Sequence, residues 1–179
     1  LLEKISAHGD GSFSKNPNPI DFDNAISSGE NVSCALMSIC LNNQKIKAKS
    51  LLSWQIPIIT SSEHMKSRIL SINKKFLYDE LENFEVLLIP GFQGISKNGE
   101  ITTIGRGGSD ATAVAIAKML NADSCEIYTD VDGVFTTDPR VCDKARLLKE
   151  VSFEEMLELS SSGAKVLQLR AVEYASKFN

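Results

Sequence analysis

The order of apolar and polar positions along the chain predicts helices that alternate with short strands. Apolar residues recur at helical intervals in Phe22–Leu41, in the segment Phe76–Phe84, in Phe153–Leu159 and in Ala164–Phe178. Asn73 and Ser152 stand where N-caps are needed, and Glu155 supplies the acid of a capping box. The first of these helices could begin at Asp21, and it contains an interrupting glycine, Gly29.

Short extended segments are predicted between the helices. They are Lys49–Trp54, Pro57–Thr60, Arg68–Ile72, Val86–Pro90 and Cys125–Thr129. The uninterrupted apolar run at Val86 is typical of a strand buried on both faces. Asn98-Gly99, between Ile95 and Ile101, predicts a tight hairpin. Strands separated by helices indicate an α/β fold with a mostly parallel sheet covered on both faces.

Length and charge narrow the class of protein. The chain has 179 residues, 42% of them hydrophobic, which fits one globular domain with a real core. Its formal charge is −4, and its basic residues are scattered, so we expect no nucleic-acid partner. No apolar stretch approaches the roughly 18 residues that span a bilayer, and no signal peptide is evident, so we expect no membrane partner and a cytoplasmic location.

The cysteines and histidines exclude several kinds of chemistry. Cys34, Cys40, Cys125 and Cys142 form no Cys-x-x-Cys pair, so neither a disulfide framework nor a zinc site is predicted, and we expect reduced, mostly buried thiols. The two histidines fit neither a metal ligand set nor a Ser-His-Asp triad. No residue is therefore assigned as a metal ligand, and hydrolase chemistry loses its support.

The most informative stretch is Gly105–Asp110, in which three glycines lead directly into a predicted helix. Unsatisfied N–H groups at a helix start, together with the Arg106 guanidinium, make such a turn an anion site. The alternative is an ordinary tight turn with Ser109 as N-cap. The stretch is neither a Walker loop nor a dinucleotide fingerprint. Asp110 in the same turn as an arginine suits a zwitterion, such as a small amino acid.

Two further places could bind a ligand. The polar loop Thr129–Arg140 follows a predicted strand, where open α/β sheets bind ligands, although a merely solvated loop is equally compatible. Its Asp-x-Asp spacing lacks the other ligands of a calcium loop. Gly29 beside Glu30 indicates close packing or a ligand, core packing being the more frequent cause. Lys165 could reach a phosphate or could extend to water.

These segments together resemble one family, the aspartate kinases of the amino-acid-kinase superfamily. The resemblance rests on five segments that occur in the family's order and spacing: Ser28-Gly29-Glu30, Gly91-Phe92-Gln93-Gly94, Gly105–Asp110, Thr129–Gly133 with Thr137–Arg140, and Gly163–Leu167. It implies a three-layer α/β/α sandwich in which ATP, with Mg²⁺, phosphorylates the side-chain carboxylate of L-aspartate. A homodimer is common in the family.

The resemblance also implies roles for individual residues. Glu30 would receive the substrate amine, and Arg106 would hold the substrate carboxylate beside Ser109 and Asp110, with Arg106 and Asp110 as the catalytic residues. The implied nucleotide-contacting residues are Thr129, Asp130, Phe135, Arg140, Lys165 and Val166. Phosphoryl transfer needs mainly positioning and neutralisation of charge, which such donors and cations supply.

The chain departs from the family pattern in three places. The family's opening Lys-Phe-Gly-Gly-Thr-Ser segment has no counterpart, so we expect residues 1–179 to form an incomplete catalytic domain without a regulatory domain. Phe135 stands where the family usually has tyrosine, and Gln168-Leu169-Arg170 replaces His-Pro-Arg. Two alternatives therefore stay open: a non-catalytic module that binds nucleotide or amino acid, and a superfamily kinase acting on a glutamate derivative or a nucleoside monophosphate.

Overall fold

A computed structural model describes residues 17–52, 54–55, 58–163 and 166–177. The helices of this part are α1 (Pro19–Asn43), α2 (Lys74–Leu81), α3 (Gly108–Met119), α4 (Phe153–Ser161) and α5 (Leu169–Lys177). The strands are β1 (Ala48–Ser50), β2 (Ile58–Thr60), β3 (Ile69–Ile72), β4 (Val86–Leu88), β5 (Gln93–Ser96) and β6 (Ile101–Thr103). The chain divides into two compact units, and the boundary falls between Gly105 and Arg106.

All of the described strands belong to the first unit, residues 1–105. β1 pairs with β4 in parallel, and a second sheet has the order β3-β2-β5-β6. In that sheet β2 and β5 are parallel, whereas β2–β3 and β5–β6 are antiparallel. Gly99, at φ +81°, turns the β5–β6 hairpin as its Asn-Gly sequence predicts. The α/β class is confirmed, and short local connections account for the antiparallel ladders.

The helices of the first unit begin where local chemistry caps them. α1 begins at Pro19, two residues before the predicted Asp21, because Asn18 caps it by accepting from the Ile20 N–H at 3.0 Å. Asn73 caps α2 by accepting from the Phe76 N–H, as predicted. Local sequence therefore sets both helix starts.

The core of the first unit mixes aliphatic and polar side chains. Leu51, Ile58 and Leu77 are fully buried, and Thr60 and Thr102 share a buried hydroxyl–hydroxyl hydrogen bond of 2.5 Å. Buried hydroxyls are tolerated when they are paired with one another, because an unpaired buried donor or acceptor costs about 1–3 kcal/mol. Buried polar side chains also lie where α1 packs against the sheet, at Asp23 and Ser27.

The second unit, residues 106–179, is helical in its described part: α3 and α4 both pack against α5. Ser152 and Glu155 form the predicted capping box at the start of α4. The final helix begins at Leu169 and not at Ala164, so that prediction was wrong at its start. The Leu167 carbonyl accepts from the Ser160 hydroxyl at 3.3 Å, which holds this residue in a turn beside α4.

Two strand predictions were wrong because a strand needs a ladder partner. Cys125–Thr129 is not a strand, since no strand among the described residues pairs with it, and Tyr128 is 89% exposed. Val86–Leu88 is a strand, but it is half-buried and not buried on both faces, because it pairs with β1 alone. Apolar content alone predicted more burial than the pairing supplies.

The cysteines are free thiols, as predicted, but they are less buried than expected. Cys40 and Cys125 are exposed, and Cys34 and Cys142 are half-buried. In the part of the chain that is described, no helix has both the length and the apolar character needed to cross a membrane.

Candidate functional site

The glycine-rich turn begins α3 without a side-chain cap. Gly107 is the N-cap residue, with φ +72° in the left-handed region, and the first intrahelical bond runs from the Ala111 N–H to the Gly107 carbonyl at 3.0 Å. Ser109 lies inside the first turn and not at the cap, so the ordinary N-cap interpretation of that serine is wrong. The N–H groups that precede Ala111 are the ones a helix cannot satisfy itself. The turn therefore presents donors suited to an anion.

Charged groups flank these donors. The Arg106 side chain is exposed, whereas Asp110 is half-buried. Burial raises the pKa of the Asp110 carboxyl above its usual value, because desolvation disfavours the ionised form. Arg106 and Asp110 form no ion pair with each other in the described structure. Neither side chain therefore neutralises the other.

A cavity of about 790 Å³ opens beside Asp110 within the second unit. Its walls are mostly apolar and include Val114, Ile127, Leu148 and Met156. Burial, and secondarily the nearby charge of Asp110, raise the pKa of the Cys125 thiol, which also lines this cavity. The low solvation of Asp110 beside these apolar walls explains why the ionised form of its carboxyl group is disfavoured.

Glu30 lies in the first unit, on α1, and its side chain is half-buried. A methyl group added to the preceding Gly29 would meet no atom within 4 Å, so core packing does not explain this glycine. The following residue, Asn31, has a buried side-chain oxygen with no hydrogen-bond partner among the described residues. This turn of α1 thus combines open space with a carboxylate and an unsatisfied acceptor, which is unusual for a purely structural helix.

The predicted nucleotide residues lie on exposed loops of the second unit. Thr129 and Asp130 are exposed and contact each other, with the hydroxyl 3.5 Å from the carboxylate oxygen. Arg140 is held by Asp138, through Nε–Oδ1 at 3.1 Å and a terminal nitrogen to Oδ2 at 2.8 Å. These contacts are local in sequence.

The remaining predicted nucleotide residues are distributed as follows. Phe135 forms an isolated bridge with Leu147 and is half-buried. Val166 is half-buried in the turn before α5, and Lys165 lies outside the described residues. The assignment of this set to a nucleotide stays a prediction.

Three polar residues of the first unit were given no individual role by the sequence reasoning. Asp23 is fully buried on α1 and lies 2.8 Å from His64 Nδ1, and Gln93 is fully buried on β5. Asp23 could have been noticed as an acid between the apolar Phe22 and Ile26 on a predicted helix. No sequence signal identified its partners.

Comparisons with known proteins point to one family. A sequence model of the amino acid kinase family matches residues 4–179. An aspartokinase of Pseudomonas aeruginosa is 52% identical over 163 residues, covering 91% of this chain and 40% of the relative. The chain therefore spans about two fifths of the length of that curated relative.

Solved structures agree with the sequence comparison. Aspartokinase III of E. coli, crystallised with aspartate and ADP, superposes with a TM-score of 0.80 at 30% identity, covering 99% of this chain and 40% of that one. Aspartate kinase from Synechocystis gives a TM-score of 0.81 at 42% identity, covering 99% of this chain and 28% of that one. The predicted family resemblance and the α/β amino-acid-kinase fold are both confirmed.

Proposed function

Because this chain belongs to the amino acid kinase family, we propose that residues 1–179 are the larger part of an aspartate kinase catalytic domain. The reaction transfers the γ-phosphate of ATP to the side-chain carboxylate of L-aspartate, the first step of lysine, threonine and methionine biosynthesis. The similarity to aspartate kinases of other organisms supports this substrate.

The observation that carries the proposal is the start of α3. Gly107 caps the helix with its backbone alone, so the helix N-terminus remains open to an anion. Arg106 adds a guanidinium suited to bidentate binding of a carboxylate, and Asp110 adds an acid in the same turn. Such a set of groups fits an amino acid better than it fits a phosphate ester alone.

Glu30 is the group that we assign to the substrate amine. Its side chain is half-buried, so its charge interacts more strongly than a fully solvated one would. The open space at Gly29 leaves room for a ligand to approach the helix backbone. We also assign Arg106, Ser109 and Asp110 to aspartate, because these positions match the motif of the aspartate kinases.

We assign Thr129, Asp130, Phe135, Arg140, Lys165 and Val166 to ATP. Among the described residues, no group of three or more His, Cys, Asp or Glu side chains could hold a metal ion by itself. Mg²⁺ is usually bound through one or two carboxylates together with substrate phosphates, so it does not need such a group. When bound, Mg²⁺ would neutralise the charge of the phosphates.

Two properties of the whole protein belong to the same proposal. We place the enzyme in the cytoplasm. We also propose a homodimer, which is supported by an exposed apolar stripe on α1 formed by Val32, Leu36 and Ile39.

The test is calorimetric titration of the purified chain with L-aspartate and with a non-hydrolysable ATP analogue plus Mg²⁺, beside a coupled assay of ADP release. We expect L-aspartate to bind in the calorimeter and to cause ADP release in the coupled assay. We expect neither binding nor ADP release when L-glutamate or UMP replaces aspartate. Response to UMP but not aspartate would refute the substrate assignment. Binding of both ligands without ADP release would instead support the non-catalytic alternative.

A further inference from the structure

Helix α1 is attached to its sheet through polar side chains. Asp23 and Ser27, one turn apart, are 0% and 1% exposed, while Val32, Leu36 and Ile39 on the opposite side of the helix are 58–61% exposed. Phe22 and Ile26 on the same helix are buried as well. The contact with the sheet therefore combines apolar packing with specific hydrogen bonds of buried polar side chains.

Asp23 makes the first attachment. Its carboxylate accepts from the Thr103 N–H at 3.1 Å and from the Thr103 hydroxyl at 2.6 Å. It also accepts from the Met65 N–H at 3.1 Å and lies 2.8 Å from His64 Nδ1. Since a buried carboxylate is costly unless its oxygens are fully bonded, this number of donors fixes its position closely.

Gln93 makes the second attachment, one turn farther along α1. Its side-chain amide donates to the Ser27 carbonyl at 3.2 Å and to its near neighbour Gly91 at 3.4 Å. Gln93 on β5 and Thr103 on β6 are direct cross-strand partners. Asp23 and Ser27, one turn apart on α1, thus contact Thr103 and Gln93, which face each other across β5 and β6. Two such contacts fix both the rotation and the axial position of the helix.

Glu30 lies seven residues after Asp23 and three after Ser27, which places it on the same side of α1. Rotation of the helix would therefore move the Glu30 carboxylate directly. We propose that Asp23 and Gln93 are positioning residues that orient Glu30 for the substrate amine. The inference rests on the proposed function, because it takes Glu30 as the group that binds this amine.

The test compares Asp23→Asn and Gln93→Met with a matched control, Thr60→Val. Both test variants keep the size of the side chain but lose the charge or the donor, and Thr60→Val loses a buried hydrogen bond of the same sheet that does not involve α1. Affinities for L-aspartate and for the ATP analogue, binding stoichiometry and Tm are measured on the full 179-residue chain. A displacement near 1 Å can weaken a site about 100-fold.

We expect Asp23→Asn to weaken aspartate binding ~10- to 100-fold and Gln93→Met by a smaller factor, with ATP-analogue affinity unchanged in both. Thr60→Val should lower Tm and leave the aspartate affinity unchanged. If the test variants lower Tm but bind aspartate as wild type does, or if they lose both affinities equally, the inference is wrong. Gln93→Met keeps the test decisive if Asp23→Asn does not fold.

A second readout separates this inference from the proposed function. Amide NMR shifts of Gly29 and Glu30 should change in Asp23→Asn and Gln93→Met, but not in Thr60→Val. A wild-type chain that binds neither ligand would refute the proposed function, and the shifts would still report whether the two contacts orient this turn. Unchanged shifts would overturn the inference whatever the binding data show.

Discussion

Gly107 and Gln168 lie so close together that a methyl group on Gly107 would overlap Cβ and Cγ of Gln168. The two residues are distant in sequence, but they meet where α3 begins and where the turn before α5 ends. Gln168 is also one of the positions at which the chain departs from the usual family pattern. The glycine-rich turn is therefore supported by a segment that the sequence alone did not connect with it.

Gly107→Ala should disrupt this turn. The left-handed φ of +72° costs an ordinary residue about 1–2 kcal/mol, and the overlap with Gln168 adds to that cost. We expect a lower Tm and loss of aspartate binding by calorimetry. Gly99→Ala is the matched control, because its φ is +81° but its added methyl group meets no atom within 4 Å. Equal effects of the two variants would contradict the role of the Gln168 contact.

Gly29→Ala should stabilise the fold and weaken substrate binding. Alanine is favoured over glycine inside a helix by about 1 kcal/mol, and the methyl group would meet no neighbouring atom. The same methyl group would occupy space that we assign to the approaching substrate. Thermal unfolding should show a higher Tm, while titration should show weaker aspartate binding and unchanged ATP-analogue binding. Unchanged aspartate affinity would mean that the space at Gly29 serves another purpose.

Asp110→Asn should raise stability near neutral pH. The folded-state pKa of Asp110 is raised by burial, so folding is opposed by ionisation of this carboxyl. The neutral form is favoured in the folded state, which adds to the free energy of unfolding. This contribution is complete below the ordinary carboxyl pKa and is lost as pH rises through the folded-state pKa. Denaturant unfolding should therefore show the variant more stable than wild type at pH 7 and equally stable near pH 3. A stability difference that persists unchanged to pH 3 would point to packing and not to charge.

Arg106→Ala should weaken aspartate binding far more than ATP-analogue binding. Losing a charge-assisted bidentate contact costs about 1.5–3 kcal/mol, which corresponds to roughly 10- to 100-fold in affinity. Arg68→Ala, at another exposed arginine, is the control and should leave both affinities unchanged. Lys165→Ala should show the reverse selectivity, with the nucleotide affected. Equal loss of both ligands in Arg106→Ala would make the assignment of this arginine wrong.

Several features were predictable because their causes are local in sequence. Ser152 and Glu155 form a capping box within four residues, Asn73 caps the helix that follows it, and Asn98-Gly99 turns a hairpin. In each case the interacting groups are separated by a few residues, so their spacing alone specifies the geometry. The glycine-rich stretch likewise identified the start of α3.

Other features depend on partners that are distant in the chain. The segment around Tyr128 has the composition of a strand but finds no ladder partner among the described residues, and β4 is half-buried because it pairs on one side only. Asp23 and Thr103 are 80 residues apart, so no local pattern could have shown that they share two hydrogen bonds.

The sequence by itself determined the family and the α/β class, because five ordered motifs and local capping rules carry that information. Only the tertiary structure decided which distant residues contact these motifs and set their surroundings. Burial raised the pKa of Asp110, close packing tied Gly107 to Gln168, and the Asp23 and Gln93 contacts set the orientation of α1. Desolvation and long-range hydrogen bonding depend on which segments meet in space, and spacing along the chain does not encode that directly.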